Sequence, residues 1–194
     1  MKTFLLLAGI MLSFLFASCS SVSDMTILDR TSWKAENPRP FKPQVPTRIV
    51  VHHEGTFFDT TKQDPKEHIH HIQTWGMGKD RNYTDVPYHY FIDLSGIIYE
   101  GRNAFTQGES NLNENVDGQL QITLLGNFDE QQPTAKQLHS LISLLELSCR
   151  KYSIPADSIK MHKDYAVTQC PGKNLVKYFN DGSIKAEVRR LIQK

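Results

Sequence analysis

The segment Thr134–Tyr152 places the strongest constraint on the fold, because its apolar residues repeat with the period of an α-helix. A second constraint is the short β-branched run Arg48–His53, which predicts a buried strand. A long amphipathic helix and an apolar strand must each cover an apolar face, so together they indicate an α/β domain. The helical stripe comprises Leu138, Leu141, Ile142, Leu145, Cys149 and Tyr152.

The rest of the chain alternates between strand and helix patterns. Asp64 and Pro65 predict the start of a helix that runs to about Trp75, because aspartate caps free backbone N–H groups and proline suits the first turn. The whole pattern predicts a single α/β domain, with a central mixed β-sheet flanked by helices. Further strands are predicted at Tyr88–Ile92, Ile97–Glu100, Leu120–Leu125 and Ser158–His162, and further helices at Asn174–Phe179 and Ser183–Ile192.

Length and charge limit the classes of protein that fit. A chain of 194 residues suffices for one ordinary domain. Lys and Arg number 22 against 21 Asp and Glu, and this formal net charge of +1 argues against a nucleic-acid-binding protein. Three cysteines are too few for a disulfide scaffold. We therefore expect no nucleic-acid partner, and we expect a monomer.

The N-terminal segment resembles an export signal. Thr3–Ala17 is apolar, follows Lys2, and is too short to span a bilayer comfortably. It ends in Phe16-Ala17-Ser18-Cys19, which resembles the lipobox of bacterial lipoproteins with Phe16 in place of the usual leucine. The resemblance implies that residues 1–18 are a lipoprotein signal peptide and that Cys19 is lipidated, although a plain cleaved signal would also explain the segment. The same resemblance implies that a lipid-anchored chain without an aspartate directly after Cys19 lies at the periplasmic face of the outer membrane of a two-membrane bacterium.

Residues 19–46 are predicted to be the lipidated cysteine and a tether, with the folded domain over residues 47–194. The segment begins with several serines and shows no sustained periodicity. Trp33 lies within it and is expected to dock on the domain. Its later part contains Pro38, Pro40, Pro43 and Pro46.

Two histidines and a cysteine lie at or beyond the ends of predicted strands, where α/β domains place their chemistry. His52 and His162 each lie at a strand end, and Cys170 follows in the next loop. His53 should point away from His52, because side chains alternate along a strand. Imidazoles and a thiolate suit Zn²⁺, and three ligands would leave one position open for water. A core histidine and a buried thiol would explain the same spacing, so spacing alone leaves both readings open.

Five sequence blocks occur in a fixed order along the chain. In that order they resemble the type-2 N-acetylmuramoyl-L-alanine amidase family of zinc amidases, which includes bacteriophage amidases and animal peptidoglycan-recognition proteins. The resemblance covers most of the predicted domain and implies the family fold, a mixed sheet flanked by helices. The blocks are Ile49–His53, Val86–Ile92, Gly96–Arg102, Leu125–Phe128 and His162–Gly172.

The same resemblance implies a catalytic site with a zinc cofactor. The zinc ligands would be His52, His162 and Cys170. Tyr88 falls on the tyrosine that helps the tetrahedral intermediate, and Thr168 falls on a second catalytic position of the family. The implied reaction is hydrolysis of the amide between the lactyl group of N-acetylmuramic acid and L-alanine. The substrate would be peptidoglycan or a muropeptide.

The chain departs from the family pattern beside this site. Gln107–Ser110 lacks the histidine that many members carry, and Thr123 stands where one subgroup has a glutamate base. These departures keep open a non-catalytic peptidoglycan-binding lipoprotein. A thiol hydrolase that uses Cys170 with a histidine is a third reading.

Several other polar residues are predicted to be structural. His68 and His71 can share one helix face, and we expect them in a polar groove wall rather than in a second metal site. His89 is expected to be buried and hydrogen-bonded. Glu100 and Arg102 are expected to pair at the end of a hairpin.

Overall fold

A computed structural model describes residues 25–194 of the chain. The sheet has the order β1-β4-β3-β5-β2-β6, with β3 and β4 antiparallel and every other neighbouring pair parallel. Helices flank this sheet, so the fold is the predicted α/β domain with a mixed sheet. The strands are β1 (Ile27–Leu28), β2 (Arg48–His53), β3 (Tyr90–Ile92), β4 (Ile98–Glu100), β5 (Gln119–Leu124) and β6 (Ile159–Met161). The helices are α1 (Pro65–Gly76), α2 (Ala135–Tyr152), α3 (Lys173–Asn180) and α4 (Ser183–Ile192).

Strand β2 lies between β5 and β6 and runs parallel to both. Its residues from Ile49 onward are buried, which agrees with its apolar, β-branched sequence. Val51 pairs with Met161 of β6, and His52 pairs with Thr123 of β5. Because parallel strands end at the same edge of a sheet, the residues that close β2 and follow β6 meet at that edge.

Helices α1 and α2 begin beside the positions that the sequence predicts, and Asp64 is the predicted cap of α1. The Asp64 side chain accepts a hydrogen bond from the backbone N–H of Lys66 at 2.8 Å, immediately before α1. Thr134 caps α2 reciprocally. Its hydroxyl accepts from the backbone N–H of Gln137 at 3.0 Å, and the Gln137 side chain accepts from the backbone N–H of Thr134 at 3.1 Å.

The predicted stripe of α2 faces the main hydrophobic core. Leu141, Leu145 and Cys149 are buried there, together with Leu144, whereas the other three members of the stripe are partly buried at its margin. Helix α4 packs beside α2, and both helices contribute to the same core. The same core contains Val51 of β2 and Met161 of β6, so the two helices share a core with both strands.

The prediction of a tether is wrong for residues 25–46, which pack on the domain. Residues Ile27–Leu28 add β1 to the edge of the sheet beside β4. Trp33 is 1% exposed, and its indole N–H donates to the carbonyl of Glu100 at 2.8 Å, which confirms the predicted docking. Arg30 forms an ion pair of 2.9 Å with the buried Asp85. A buried tryptophan and a paired arginine hold a segment whose own sequence has no regular periodicity.

The predicted signal peptide and the predicted lipidation site at Cys19 lie outside the described residues. Within residues 25–194, no helix combines the length and the apolar character needed to cross a membrane.

Candidate metal centre

The structure brings His52, His162 and Cys170 together at the edge where β2 and β6 end. His52 is the last residue but one of β2, His162 opens a short 3-10 turn after β6, and Cys170 lies in the loop before α3. One potential ligand atom of each residue lies within 4.8 Å of the others. The Cys170 Sγ atom is 3.7 Å from Nδ1 of His52. The three residues that the sequence predicts as ligands therefore form one buried cluster.

This cluster fits a zinc ion in both spacing and chemistry. Tetrahedral Zn²⁺ with ordinary bond lengths separates a nitrogen ligand from a sulfur ligand by about 3.6 Å, close to the distance between His52 and Cys170. Within residues 25–194, this cluster is the one group of three or more His, Cys, Asp or Glu side chains close enough together to hold a metal ion. Two imidazoles and a thiolate are ligands that zinc prefers.

Burial raises the pKa of the Cys170 thiol to about 12. Without a cation the thiol is therefore protonated at neutral pH, and it is not an activated nucleophile. This observation weighs against the thiol-hydrolase reading. A bound metal would take the thiolate and release its proton.

The loop that carries Cys170 is fixed by close backbone contacts. The backbone N–H of Lys163 donates to the Cys170 carbonyl at 3.1 Å, and the backbone N–H of Cys170 donates to Thr168 Oγ1 at 3.2 Å. Gly172 follows with φ of +87°, and a Cβ atom there would lie 2.5 Å from the carbonyl carbon of Phe128. Only glycine satisfies both conditions, which explains the glycine at position 172.

His53 lines the cavity beside the cluster and binds the backbone of the loop after β5. Its Nδ1 atom accepts a hydrogen bond from the backbone N–H of Phe128 at 3.1 Å, and its ring lies 6.2 Å from that of Phe128. Burial lowers the pKa of His53, which keeps the ring neutral and Nδ1 able to accept. Alternation along the strand places the His53 ring beside Phe128 and the His52 ring beside His162, although both histidines line the same cavity.

Tyr88 and Thr168 line the same cavity as the three candidate ligands. The ring of Tyr88 lies 5.2 Å from that of His52 and packs edge-on against Phe91 at 5.6 Å. Burial raises the pKa of Tyr88 well above its usual value, so its phenol is a hydrogen-bond donor at neutral pH. Thr168 presents a hydroxyl at the rim beside Cys170.

Sequence reasoning missed Glu114, which contacts a candidate ligand directly. Its Oε1 atom lies 2.7 Å from Nε2 of His162, and its side chain is 1% exposed. Glu114 lies in the irregular segment before β5, and no motif or periodicity distinguishes it from the polar residues around it. Only the position of this segment against His162 identifies the residue.

A cavity of about 680 Å³ opens beside the cluster. Its far wall is formed by α1, from which His68 and His71 line the cavity as predicted. His68 lies 3.4 Å from the carboxylate of Glu54. Trp75 is 45% exposed at one end, and Leu112 is 39% exposed on the loop opposite. The wall therefore combines polar groups near the cluster with apolar surface farther out.

The loop that departs from the family pattern is held by an ion pair that was not predicted. Arg102 pairs with Glu109 rather than with Glu100, and the Arg102 Nε atom donates to the carbonyl of Val86 at 2.6 Å. The prediction of a Glu100–Arg102 pair is therefore wrong. Glu100 is exposed to solvent, whereas Arg102 is buried. A buried guanidinium needs a nearby negative charge, and Glu109 supplies it. The Arg102–Glu109 ion pair holds the loop from which Leu112 lines the cavity.

Fold and site together define an α/β domain with a buried His–His–Cys cluster beside a substrate-sized cavity. The chain belongs to the N-acetylmuramoyl-L-alanine amidase family, whose sequence pattern matches residues 42–173. All three candidate ligands and Tyr88 lie within the matched range.

Individual relatives agree with this assignment. Peptidoglycan-recognition protein SD of Drosophila melanogaster is 28% identical over 160 residues, which cover 78% of this chain and 83% of the relative. The structure of the N-acetylmuramoyl-L-alanine amidase LysC from Clostridium intestinale is similar with a TM-score of 0.67 and 29% identity, covering 84% of this chain and 97% of that one. Peptidoglycan-recognition protein LE, in complex with the monomeric peptidoglycan tracheal cytotoxin, has a TM-score of 0.71 and 27% identity, with coverages of 80% and 93%.

Proposed function

We propose that this protein is a zinc-dependent N-acetylmuramoyl-L-alanine amidase. It would hydrolyse the amide between the lactyl group of N-acetylmuramic acid and L-alanine. The observation that carries the proposal is the complete cluster of His52, His162 and Cys170 with Tyr88 beside it. Family membership supports the same reaction, because the matched family is named for it.

The side chains around the cluster can each serve a step of amide hydrolysis. His52, His162 and Cys170 would hold zinc, which when bound polarises a carbonyl and lowers the pKa of water. The Tyr88 phenol donates a hydrogen bond to the oxyanion that forms when the amide is attacked. The leaving amine needs a proton, which Tyr88 or a water held by the Thr168 hydroxyl can deliver.

A muropeptide is the proposed substrate. The cavity of about 680 Å³ has the size of a small-molecule site, and its wall offers both polar and apolar contacts. The similarity to peptidoglycan-recognition protein LE bound to tracheal cytotoxin supports this substrate class.

The reaction can be tested by mass spectrometry of muropeptides after incubation with zinc-loaded protein that lacks residues 1–19. We expect free stem peptide and peptide-free glycan from the unaltered protein, and neither product from Cys170→Ser or after chelation of the metal. A thiol hydrolase would instead keep its activity in chelator and lose it on alkylation. Unaltered muropeptides that still retain the protein would refute the amidase proposal and favour a non-catalytic binder.

We also propose that the protein is a lipoprotein at the periplasmic face of the outer membrane, anchored through Cys19. The support is the apolar Thr3–Ala17 segment followed by a lipobox-like sequence. Metabolic labelling with a fatty-acid analogue should modify the full-length chain and leave Cys19→Ala unlabelled. Equal labelling of both proteins, or labelling of neither, would contradict the anchor.

A further inference from the structure

Glu114 makes a contact with the candidate metal centre that the proposed reaction does not use. Its Oε1 atom lies 2.7 Å from Nε2 of His162. That contact occupies one ring nitrogen of His162 and leaves Nδ1 as the nitrogen available to a metal. A carboxylate that accepts from the outer N–H of a metal-binding histidine fixes both the tautomer and the orientation of the ring.

Within residues 25–194, no other ion pair or hydrogen bond is found for the Glu114 carboxylate. Its Oε2 atom is buried and has no hydrogen-bond partner within residues 25–194. A buried carboxylate is costly unless a positive charge lies close to it. A zinc dication with the Cys170 thiolate carries a net charge of +1, and Glu114 would bring this buried group to zero.

We propose that Glu114 is a positioning residue of the metal centre. It orients the His162 ring so that Nδ1 faces His52 and Cys170, and its charge balances that of the occupied site. This inference rests on the zinc site of the proposed function.

The place of Glu114 in the chain also ties the metal centre to the cavity wall. The backbone N–H of Glu114 donates to the carbonyl of Leu112 at 3.0 Å, and Leu112 lines the cavity. One short segment therefore carries both a wall residue of the groove and the support of a candidate ligand.

The test is the zinc affinity of Glu114→Gln and Glu114→Ala, measured by competition with a chromophoric chelator. Asp117→Asn is the matched control, because Asp117 is an exposed acid in the same segment. We expect Glu114→Gln to bind zinc about 10-fold more weakly and Glu114→Ala up to about 100-fold more weakly. The control should bind zinc as the unaltered protein does. If Glu114→Ala does not fold, the milder Glu114→Gln decides.

Two further readouts separate positioning from a merely structural role. The visible absorption of the Co²⁺-substituted protein reports ligand geometry, and it should change in both Glu114 variants but not in Asp117→Asn. The melting temperature of the metal-free protein should stay close to that of the unaltered protein in Glu114→Gln. An unchanged Co²⁺ spectrum, with a loss of metal-free stability that accounts for the weaker binding, would overturn the inference.

The outcomes also separate this inference from the proposed function. If the unaltered protein binds zinc tightly and the Glu114 variants bind it equally well, only the role of Glu114 is refuted. If the unaltered protein binds no zinc, the metal site and the role of Glu114 both fail.

Discussion

Substitution of a single residue beside the cluster can distinguish a role in the catalytic step from a role in metal binding. Tyr88 lies 5.2 Å from the His52 ring and is not among the candidate ligands. Its ring packs against Phe91, so phenylalanine in its place would keep the packing and remove only the hydroxyl. We predict that Tyr88→Phe lowers kcat about 100- to 1,000-fold, because the oxyanion loses one hydrogen-bond donor. The measurement is the initial rate of stem-peptide release from a defined muropeptide.

The control for this substitution is Tyr90→Phe, two residues along the chain. Tyr90 packs at the margin of the main core rather than in the cavity. Its loss of a hydroxyl should leave kcat unchanged, and zinc affinity should be unchanged in both variants. A Tyr88→Phe protein with full kcat would exclude Tyr88 as the donor.

His89 supplies a second prediction at this scale, which concerns stability in acid. It is 1% exposed, and burial lowers its pKa from the usual 6.5 to about 3. Between these values the unfolded chain binds a proton that the folded chain does not, so stability falls as the pH falls from about 6.5 towards 3. We predict that His89 accounts for about 2 kcal/mol of the stability lost between pH 7 and pH 5.

Urea unfolding at pH 7 and pH 5 measures this contribution. The free energy of unfolding should fall less between these two values in His89→Gln than in the unaltered protein. An identical pH dependence in His89→Gln would show that His89 takes up its proton equally in the folded and unfolded states.

At the scale of elements, the N-terminal segment belongs to the folded domain. Trp33 is 1% exposed in the second hydrophobic cluster, and its indole is hydrogen-bonded to Glu100. We predict that Trp33→Ala lowers the free energy of unfolding by about 3–5 kcal/mol, the usual cost of truncating a buried aromatic residue. Chemical unfolding followed by circular dichroism provides the measurement.

Trp75→Ala is the matched control, since Trp75 is 45% exposed. Its truncation should cost much less stability, although it removes a wall residue of the cavity. Equal losses for the two tryptophans, or no loss at Trp33, would argue that residues 25–46 are a tether after all.

At the scale of the whole molecule, a bound metal would tie together parts of the chain that are far apart in sequence. The cluster joins β2, the turn after β6 and the loop before α3. A ligand that binds only the folded state stabilises it, by about 2.7 kcal/mol at 100 times its dissociation constant. We predict that the melting temperature of metal-free protein rises with zinc concentration, and that Cys170→Ser abolishes this dependence. A melting temperature that zinc leaves unchanged would contradict the metal site.

Much of the element structure could be predicted from the sequence, because the signals involved act over a few residues. The apolar stripe of α2 and the Asp64 cap of α1 each depend on neighbours within about one turn of the helix. The identity of the candidate ligands came from the order of the family blocks, since the spacing of His162 and Cys170 alone also fits a core histidine and a buried thiol.

The errors and omissions concern contacts between distant parts of the chain. The docking of Arg30 on Asp85 joins residues 55 apart, and the contact of Glu114 with His162 joins residues 48 apart. No local sequence pattern predicts either pair, because the contacts of an irregular segment depend on the surface against which it packs.

By itself the sequence determined the α/β class, most helices and strands, and the strand ends that carry His52 and His162, because periodicity and capping are local properties of the chain. The tertiary structure alone decided that residues 25–46 join the domain, that Arg102 turns to Glu109, and that Glu114 supports His162. Those contacts depend on how the segments pack in three dimensions. A buried charge also needs a partner close to it, since an unpaired charge is costly away from water.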